Sequence, residues 1–320
     1  MNVGIIGAGN IATKMANTIN AIDGIFNYAI ASRDLQKAET FKETYGFIKA
    51  YGSYEGLLKD PNVDLVYIAT IHSTHYPIML ECLKYKKPVL CEKCFTTSLQ
   101  DTVDIYKKFE EQSLFICEAL WTSFMPSRQM IHDLLFDKKV IGKIKSMALS
   151  YQIPISQVER IKRKDLGGGA MMDLGVYPVS FVYRTLGFHY ESVNISNTKI
   201  NRYGADMKAQ VEFLYKDGIR AICKIDCISN HPKDVIIRGT KGKMVINAVD
   251  CPQTISIITR RNGEEIINCA PPLGGFEYQI LACKKALEDG RVECEEWTHQ
   301  NSIDLSYIVD KAINVACAEK

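Results

Sequence analysis

Lys93, Asp173 and Tyr177 carry the side chains best suited to moving a proton to or from a hydroxyl or carbonyl. Asp173 and Tyr177 are four residues apart, which on a helix puts them on one face. A tyrosine phenol has an ordinary pKa of about 10, too high for proton transfer at neutrality without help. A lysine ammonium beside it favours the phenolate and lowers that value. Lys93 follows a short apolar run, 89–91, behind the basic turn Lys84-Tyr-Lys-Lys-Pro88. The run reads as a buried strand, with Glu92 and Lys93 just beyond its carboxyl end. Open parallel sheets bind their ligands outside those ends. Taken stretch by stretch, the alternatives are a solvated Lys–Glu pair in a loop and a buried Tyr beside a capping Asp. Gly167-Gly-Gly169 would let backbone approach a ligand closely. Pro178 suits a first helical turn or a kink and leaves the helix start open.

The elements that would position these groups follow from periodicity. Strand-like runs at 2–6, 26–31, 65–68, 89–91 and 114–117 alternate with helical stretches, among them 35–45, 76–85 and 99–112. Such alternation predicts a parallel, doubly wound Rossmann sheet that ends near Glu118. Between the first strand and first helix lies Gly7-Ala8-Gly9-Asn10-Ile11-Ala12. Gly7 permits the tight turn, Gly9 lets backbone approach a pyrophosphate, and Ala12 keeps helix and sheet close. The helix N-terminus then offers free N–H groups to phosphates. An acidic residue at the end of the second strand would bind the ribose 2′-hydroxyl of NAD. Ser32-Arg33 stands there, and an Arg pairs with the 2′-phosphate of NADP; the alternative is a surface Arg. NADP is the expected cofactor, with NAD the lesser choice. Its nicotinamide would exchange the hydride while Lys93, Asp173 and Tyr177 handle the proton. Asp34 reads as a helix N-cap.

His72 and His75 follow the strand ending near Ala69-Thr70, again at the sheet's carboxyl edge. No third or fourth ligand accompanies them, so no metal is expected, and contact with cofactor or substrate is the functional reading against a plain loop role. Cys91-x-x-Cys94 matches a redox spacing, but Cys91 reads as a buried strand end.

After Pro126 the texture changes. A helix over 127–136 and a strand over 143–151 precede the glycine run, and a helix over 173–186 follows it. From 190 to 268 the chain alternates in period two, with turns at Lys216-Asp-Gly218, Lys241-Gly242 and Asn262-Gly263, which predicts an antiparallel sheet. Within it, Ile219, Ala221, Cys223 and Ile225 share a face that should be covered, and Ile222 lies on the other. Helices over 278–288 and 298–318 close the chain. The expected organisation is a dinucleotide-binding domain, 1–119, and an α+β substrate and dimerisation domain, 120–320, built on a large, mainly antiparallel sheet, with the cleft between them.

Composition narrows the partners. The 320 residues are 47% hydrophobic and 24% charged, with a net charge of +2. That balance fits an ordinary protein with a sizeable core and carries no basic footprint for nucleic acid or an anionic membrane surface. No apolar run reaches the length of a membrane span, and no secretory leader opens the chain. Eleven scattered cysteines read as reduced thiols of a cytoplasmic protein.

In this order the pieces resemble the Gfo/Idh/MocA oxidoreductase family over nearly the whole chain. The marks are Gly-Ala-Gly-Asn at 7–10, Ala-Thr-Ile-His at 69–72, Glu92-Lys93, and Gly-Gly-Gly-Ala-Met-Met-Asp-Leu-Gly-Val-Tyr-Pro at 167–178. Glu-Ala-Leu-Trp-Thr at 118–122, with Phe124, Pro126 and the Tyr177-Pro178 ending, is similar to the branch of dimeric dihydrodiol and NADP-dependent D-xylose dehydrogenases. The resemblance implies Lys93 and Tyr177 as the catalytic pair, Tyr177 the general acid/base and Asp173 its support. It implies Ser32 and Arg33 at the 2′-phosphate, and Thr70, His72, His75, Glu92 and Trp121 along the cofactor cleft. It also implies a homodimer through the open face of the C-terminal sheet. Arg160 matches a branch arginine and is a candidate for polar substrate contact, and Trp121 and Phe276 could wall an aromatic diol or stack on a sugar. Cys94 replaces the family's Pro after Glu-Lys, Ile71 a Pro before the His, and Ser123 an Arg after Trp-Thr. The expected activity is oxidation or reduction between a secondary alcohol of a sugar or cyclic diol and its carbonyl. A non-catalytic dinucleotide sensor is the alternative, which an intact Lys93, Asp173 and Tyr177 argues against.

Overall fold

Val3, Ile5 and Ile6 are fully buried, because a strand in the middle of a parallel sheet is covered on both faces. They belong to β1 (Asn2–Ile6), which lies at the centre of a parallel sheet in the computed structural model; residues 1–318 are described. The chain winds through α1 (Asn10–Asn20), β2 (Phe26–Ala31), α2 (Leu35–Tyr45), β3 (Lys49–Tyr51), α3 (Tyr54–Leu58), β4 (Leu65–Ile68), α4 (His75–Lys84), β5 (Val89–Glu92), α5 (Leu99–Glu111) and β6 (Ile116–Ala119). The strands are ordered β3-β2-β1-β4-β5-β6, and every neighbouring pair is parallel. The order reverses at β1, so β1 and β4 flank the switch point where such sheets bind ligands.

Two strand ends differ from expectation. β5 continues through Glu92, which pairs with Ala119, so Lys93 alone begins the loop. β6 starts at Ile116 and not at 114, because Ser113 takes a left-handed φ of 51° and Leu114 N–H still bonds back to Phe109 O at 3.0 Å.

Among the described residues the second sheet has eight strands. α6 (Pro126–His132), β7 (Ile144–Gln152), α7 (Glu159–Lys162) and α8 (Val176–Leu186) lead into β8 (Tyr190–Ile200), β9 (Asp206–Tyr215), β10 (Arg220–Asp226), β11 (Val235–Gly239), β12 (Gly242–Ile246), β13 (Thr254–Thr259) and β14 (Gly263–Asn268). Their order is β14-β13-β12-β11-β7-β10-β9-β8. All pairs are antiparallel except β7 with β10. Ala221, Cys223 and Ile225 of β10 are buried on the face that α8 covers, as the alternation required. The expected helix over 127–136 ends at His132 and passes into a wider π-type turn, Asp133–Asp137.

α9 (Phe276–Glu288) and α10 (His299–Ala318) follow. The chain forms two compact units. Met1–Phe124 joins with Phe276–Ser306, and Met125–Gly275 joins with the described residues from Tyr307 on. α9 returns to the first unit because it packs on α1 and on the turn Trp121–Phe124. Among the described residues no helix is long and apolar enough to cross a membrane.

Candidate active site

The first unit holds a phosphate-type cradle. Gly7 sits at φ 103°, its N–H bonded to Ala31 O at 2.9 Å, and a Cβ there would stand 2.7 Å from Ala69 O. Only glycine fits both the angle and the contact. Gly9 caps α1 with extended backbone and no side-chain bond, and a Cβ built on it meets nothing within 4 Å. The protein's own packing therefore does not demand glycine at position 9; a ligand backing onto the N–H groups of Asn10, Ile11 and Ala12 would use that space. Ser32 is buried at the end of β2, where its Oγ accepts from Asp34 N at 3.2 Å, and Arg33 is exposed beside it. Asp34 caps α2 as expected, accepting from Lys37 N at 3.2 Å. These residues fit a dinucleotide with a 2′-phosphate.

At the next strand ends, Thr70 Oγ1 accepts from Thr74 Oγ1 at 2.8 Å, and His72 opens a short 3-10 turn, His72–Thr74. His75 is fully buried. Its Nδ1 lies 3.0 Å from Cys94 O and 3.2 Å from Phe95 O, and its Nε2 3.2 Å from Thr70 O. The ring ties the loop after β4 to the loop after Lys93, and burial pushes its pKa down. Glu92 is also buried, and the Tyr67 hydroxyl on β4 donates to its carboxylate. Burial dominates and pushes Glu92 up to about 7 despite that bond and the nearby Lys93 ammonium. Lys93 is half-buried and joined to Cys94 by a cis peptide bond. Beneath them, Glu118 at the end of β6 accepts from Phe95 N at 3.2 Å, Trp297 Nε1 at 3.0 Å and Ser302 Oγ at 2.7 Å. Cys91 and Cys94 are buried and not joined in a disulfide, and burial pushes the Cys91 thiol well up, away from thiolate chemistry. Trp121 stacks on Phe276 with ring centroids 4.9 Å apart, and the Lys14 ammonium lies 5.8 Å from the Phe276 centroid.

The second unit holds Asp173 and Tyr177. Asp173 lies in a π-type turn, Met171–Gly175, and Tyr177 is the second residue of α8, so Pro178 falls in its first turn. The Arg160 guanidinium grips Asp173 with both arms, Nη1 to Oδ1 at 2.9 Å and Nη2 to Oδ2 at 3.3 Å. The ring of Tyr177 is buried edge-on against Tyr151, centroids 5.2 Å apart. Tyr151 in turn donates to Asp250 Oδ2 at 2.6 Å, and burial, then Tyr177 and Asp250, drive its phenol far above the usual range.

The glycine run is packed tightly against the chain itself. A Cβ on Gly168 would stand 2.2 Å from Arg160 O, and one on Gly169, at φ 134°, 2.1 Å from Asp206 Oδ1. At both positions the chain itself approaches closely. Asp206 is buried and accepts from Met171 N at 2.8 Å, and burial pushes it up to about 6. Tyr67, Asp206, Tyr151 and Trp297 escaped the sequence reading, and Glu118 entered it only as a sequence mark without a role. Acidic residues in otherwise apolar strand ends were the available signal for Glu118 and Asp206.

Comparison with known proteins decides the family. A model described as an oxidoreductase family with an NAD-binding Rossmann fold matches residues 1–119, and one described as a GFO/IDH/MocA C-terminal domain matches 133–245. The trans-1,2-dihydrobenzene-1,2-diol dehydrogenase of Mus musculus is 31% identical, covering 87% of this chain and 82% of its own. The chain belongs to the Gfo/Idh/MocA family. Its Xenopus tropicalis relative of the same name is 29% identical over 97% of this chain and 96% of its own. Among solved structures of this fold, a 3-ketoreductase from Actinomadura kijaniata in complex with NADP and TDP-benzene superposes with a TM-score of 0.87 at 25% identity, covering 97% of this chain and 96% of its own. A levoglucosan dehydrogenase complexed with NADH shares the fold at a TM-score of 0.86 and 17% identity, covering 100% of this chain and 97% of its own. The N-terminal unit of this Gfo/Idh/MocA protein is thus a NAD(P)-binding Rossmann domain.

Proposed function

We propose that the protein is an NADP-dependent oxidoreductase that interconverts a secondary alcohol of a cyclic diol or sugar and its carbonyl. The observation that carries this is the Tyr177 phenol at the start of α8, one turn beyond an Asp173 that Arg160 holds in a fixed orientation. A sensor has no use for an oriented proton donor. Bound NADP supplies the hydride acceptor or donor. The chain's residues handle the proton. In the reducing direction Tyr177 Oη gives its proton to the carbonyl oxygen, and in the oxidising direction it takes the hydroxyl proton back. By resemblance to the family, Lys93 would favour the phenolate between those events. Asp173 supports the tyrosine, with Arg160 as its positioning residue.

Exposed Arg33 and the Ser32 hydroxyl would hold the 2′-phosphate, and the N–H groups behind Gly9 the pyrophosphate. Thr70, His72 and Glu92 would border the nicotinamide end. His75, whose ring nitrogens face backbone carbonyls, would act by shaping the loop that carries Lys93. The diol dehydrogenases and the 3-ketoreductase among the relatives support the substrate class. The test is NADP reduction over a panel of cyclic diols, inositols and aldoses. Tight NADP binding with no turnover on any of them would favour the sensor.

We also infer a homodimer. On the face of the second sheet away from α8, Ile222, Ala148, Ile236 and Val245 lie side by side in register, with Ser256 and Ile266 completing the row. Ile266 is 64% exposed. Such an apolar row on an open sheet face is suited to a second subunit.

A further inference from the structure

α6 and α8 enclose a small cavity in the second unit, about 60 Å³ in volume, room for a few waters or one compact ion. Arg128, Gln129 and His132 line it from α6, and Phe181, Arg184 and Thr185 from α8. Among the described residues that line it none is acidic. Arg128 is fixed in place. Its Nη2 donates to Val249 O at 2.8 Å, and its guanidinium lies over the Phe181 ring, 4.5 Å from the centroid. Outside the lining, Asp133 accepts from Gln129 Nε2 at 2.6 Å and lies 3.8 Å from His132 Nδ1, so that rim is partly neutralised. Burial first, and the Arg184 charge second, push Arg128 down to about 9, with Asp250 offsetting part of this. Two guanidinium groups facing one cavity repel each other, and an anion between them relieves that repulsion while gaining paired charge-assisted bonds.

We propose that this cavity binds a compact tetrahedral oxyanion, phosphate or sulfate, between the guanidinium groups of Arg128 and Arg184. The site is independent of the cofactor's, whose phosphate contacts lie in the first unit. Two guanidinium groups on one lining give fork-shaped sets of donors that suit such an ion.

The test is calorimetric titration of the full chain with inorganic phosphate, and separately with sulfate, at constant ionic strength maintained with chloride. The wild type should bind one ion saturably. Arg184→Gln should weaken binding by about tenfold or more with thermal stability in chloride unchanged, and Arg184→Lys, which keeps the charge but loses the fork, should weaken it less. Arg33→Ala should leave this binding intact. Absence of saturable binding in the wild type, equal binding in Arg184→Gln, or loss of binding in Arg33→Ala would each overturn the proposal, the last by assigning the ion to the cofactor's site.

Discussion

Replacing Tyr177 by Phe removes one oxygen and little else. The ring stays edge-on to Tyr151, and the Tyr177 carbonyl keeps its 3.0 Å bond from Ser180 Oγ. The stability cost is that of one hydroxyl's hydrogen bonding, at most about 1.5 kcal/mol. The chemical cost is larger if Tyr177 is the proton carrier. General acid–base help is worth about 10²- to 10⁴-fold, which is roughly 2.7–5.4 kcal/mol in the barrier. The two effects are therefore separable. Tyr177→Phe should melt within a few degrees of wild type and bind NADP with unchanged affinity, while kcat falls by that factor. Lys93→Met should behave alike, and the double variant should be little worse than either, because the pair acts as a unit. The assay is NADPH formation on the best substrate of the panel, with cofactor binding followed by fluorescence. Full turnover in Tyr177→Phe would refute the mechanism, and an equal loss of NADP affinity would show that the hydroxyl serves binding instead.

Arg33→Ala should weaken NADP by about 10- to 150-fold and leave NAD unchanged, as expected for one charge-assisted phosphate contact; equal effects on both cofactors in a binding titration would rule it out. Glu92 holds its proton more tightly folded than unfolded, so wild-type stability should fall as pH rises from about 4.5 and level off above about 7. Glu92→Gln lacks that penalty and should gain on wild type across the same window, by up to about 3 kcal/mol, read from melting temperatures at pH 4.5 to 8.5. Gly168→Ala should destabilise by about 2 kcal/mol or more, since its Cβ would meet backbone oxygens that cannot move aside; an unchanged denaturation midpoint would contradict that packing. Ala148→Arg, in the middle of the apolar row, should yield a monomer by light scattering where the wild type gives a dimer mass at micromolar concentration.

Local spacing along the chain determined much of this protein. The glycine fingerprint, the strand–helix alternation to residue 119 and the period-two sheet strands are each encoded within short windows, because periodicity reports directly which faces are buried. Lys93, Asp173 and Tyr177 could be named for the same reason: their chemistry and offsets are local properties. Other features depended on contacts between distant segments. Nothing near residue 276 announces that α9 returns to the first unit, since that choice is made by its fit against α1 and the Trp121 turn. The reach of Arg160 to Asp173 and the grip of His75 on two loops are set by how those segments fold over one another. The glycines at 168 and 169 show the limit most clearly. Their type signalled close approach, but only tertiary packing decided that the approaching groups are the carbonyls of Arg160, Ile161 and Arg163 and the Asp206 carboxylate, because excluded volume is a property of the folded chain and not of its local pattern.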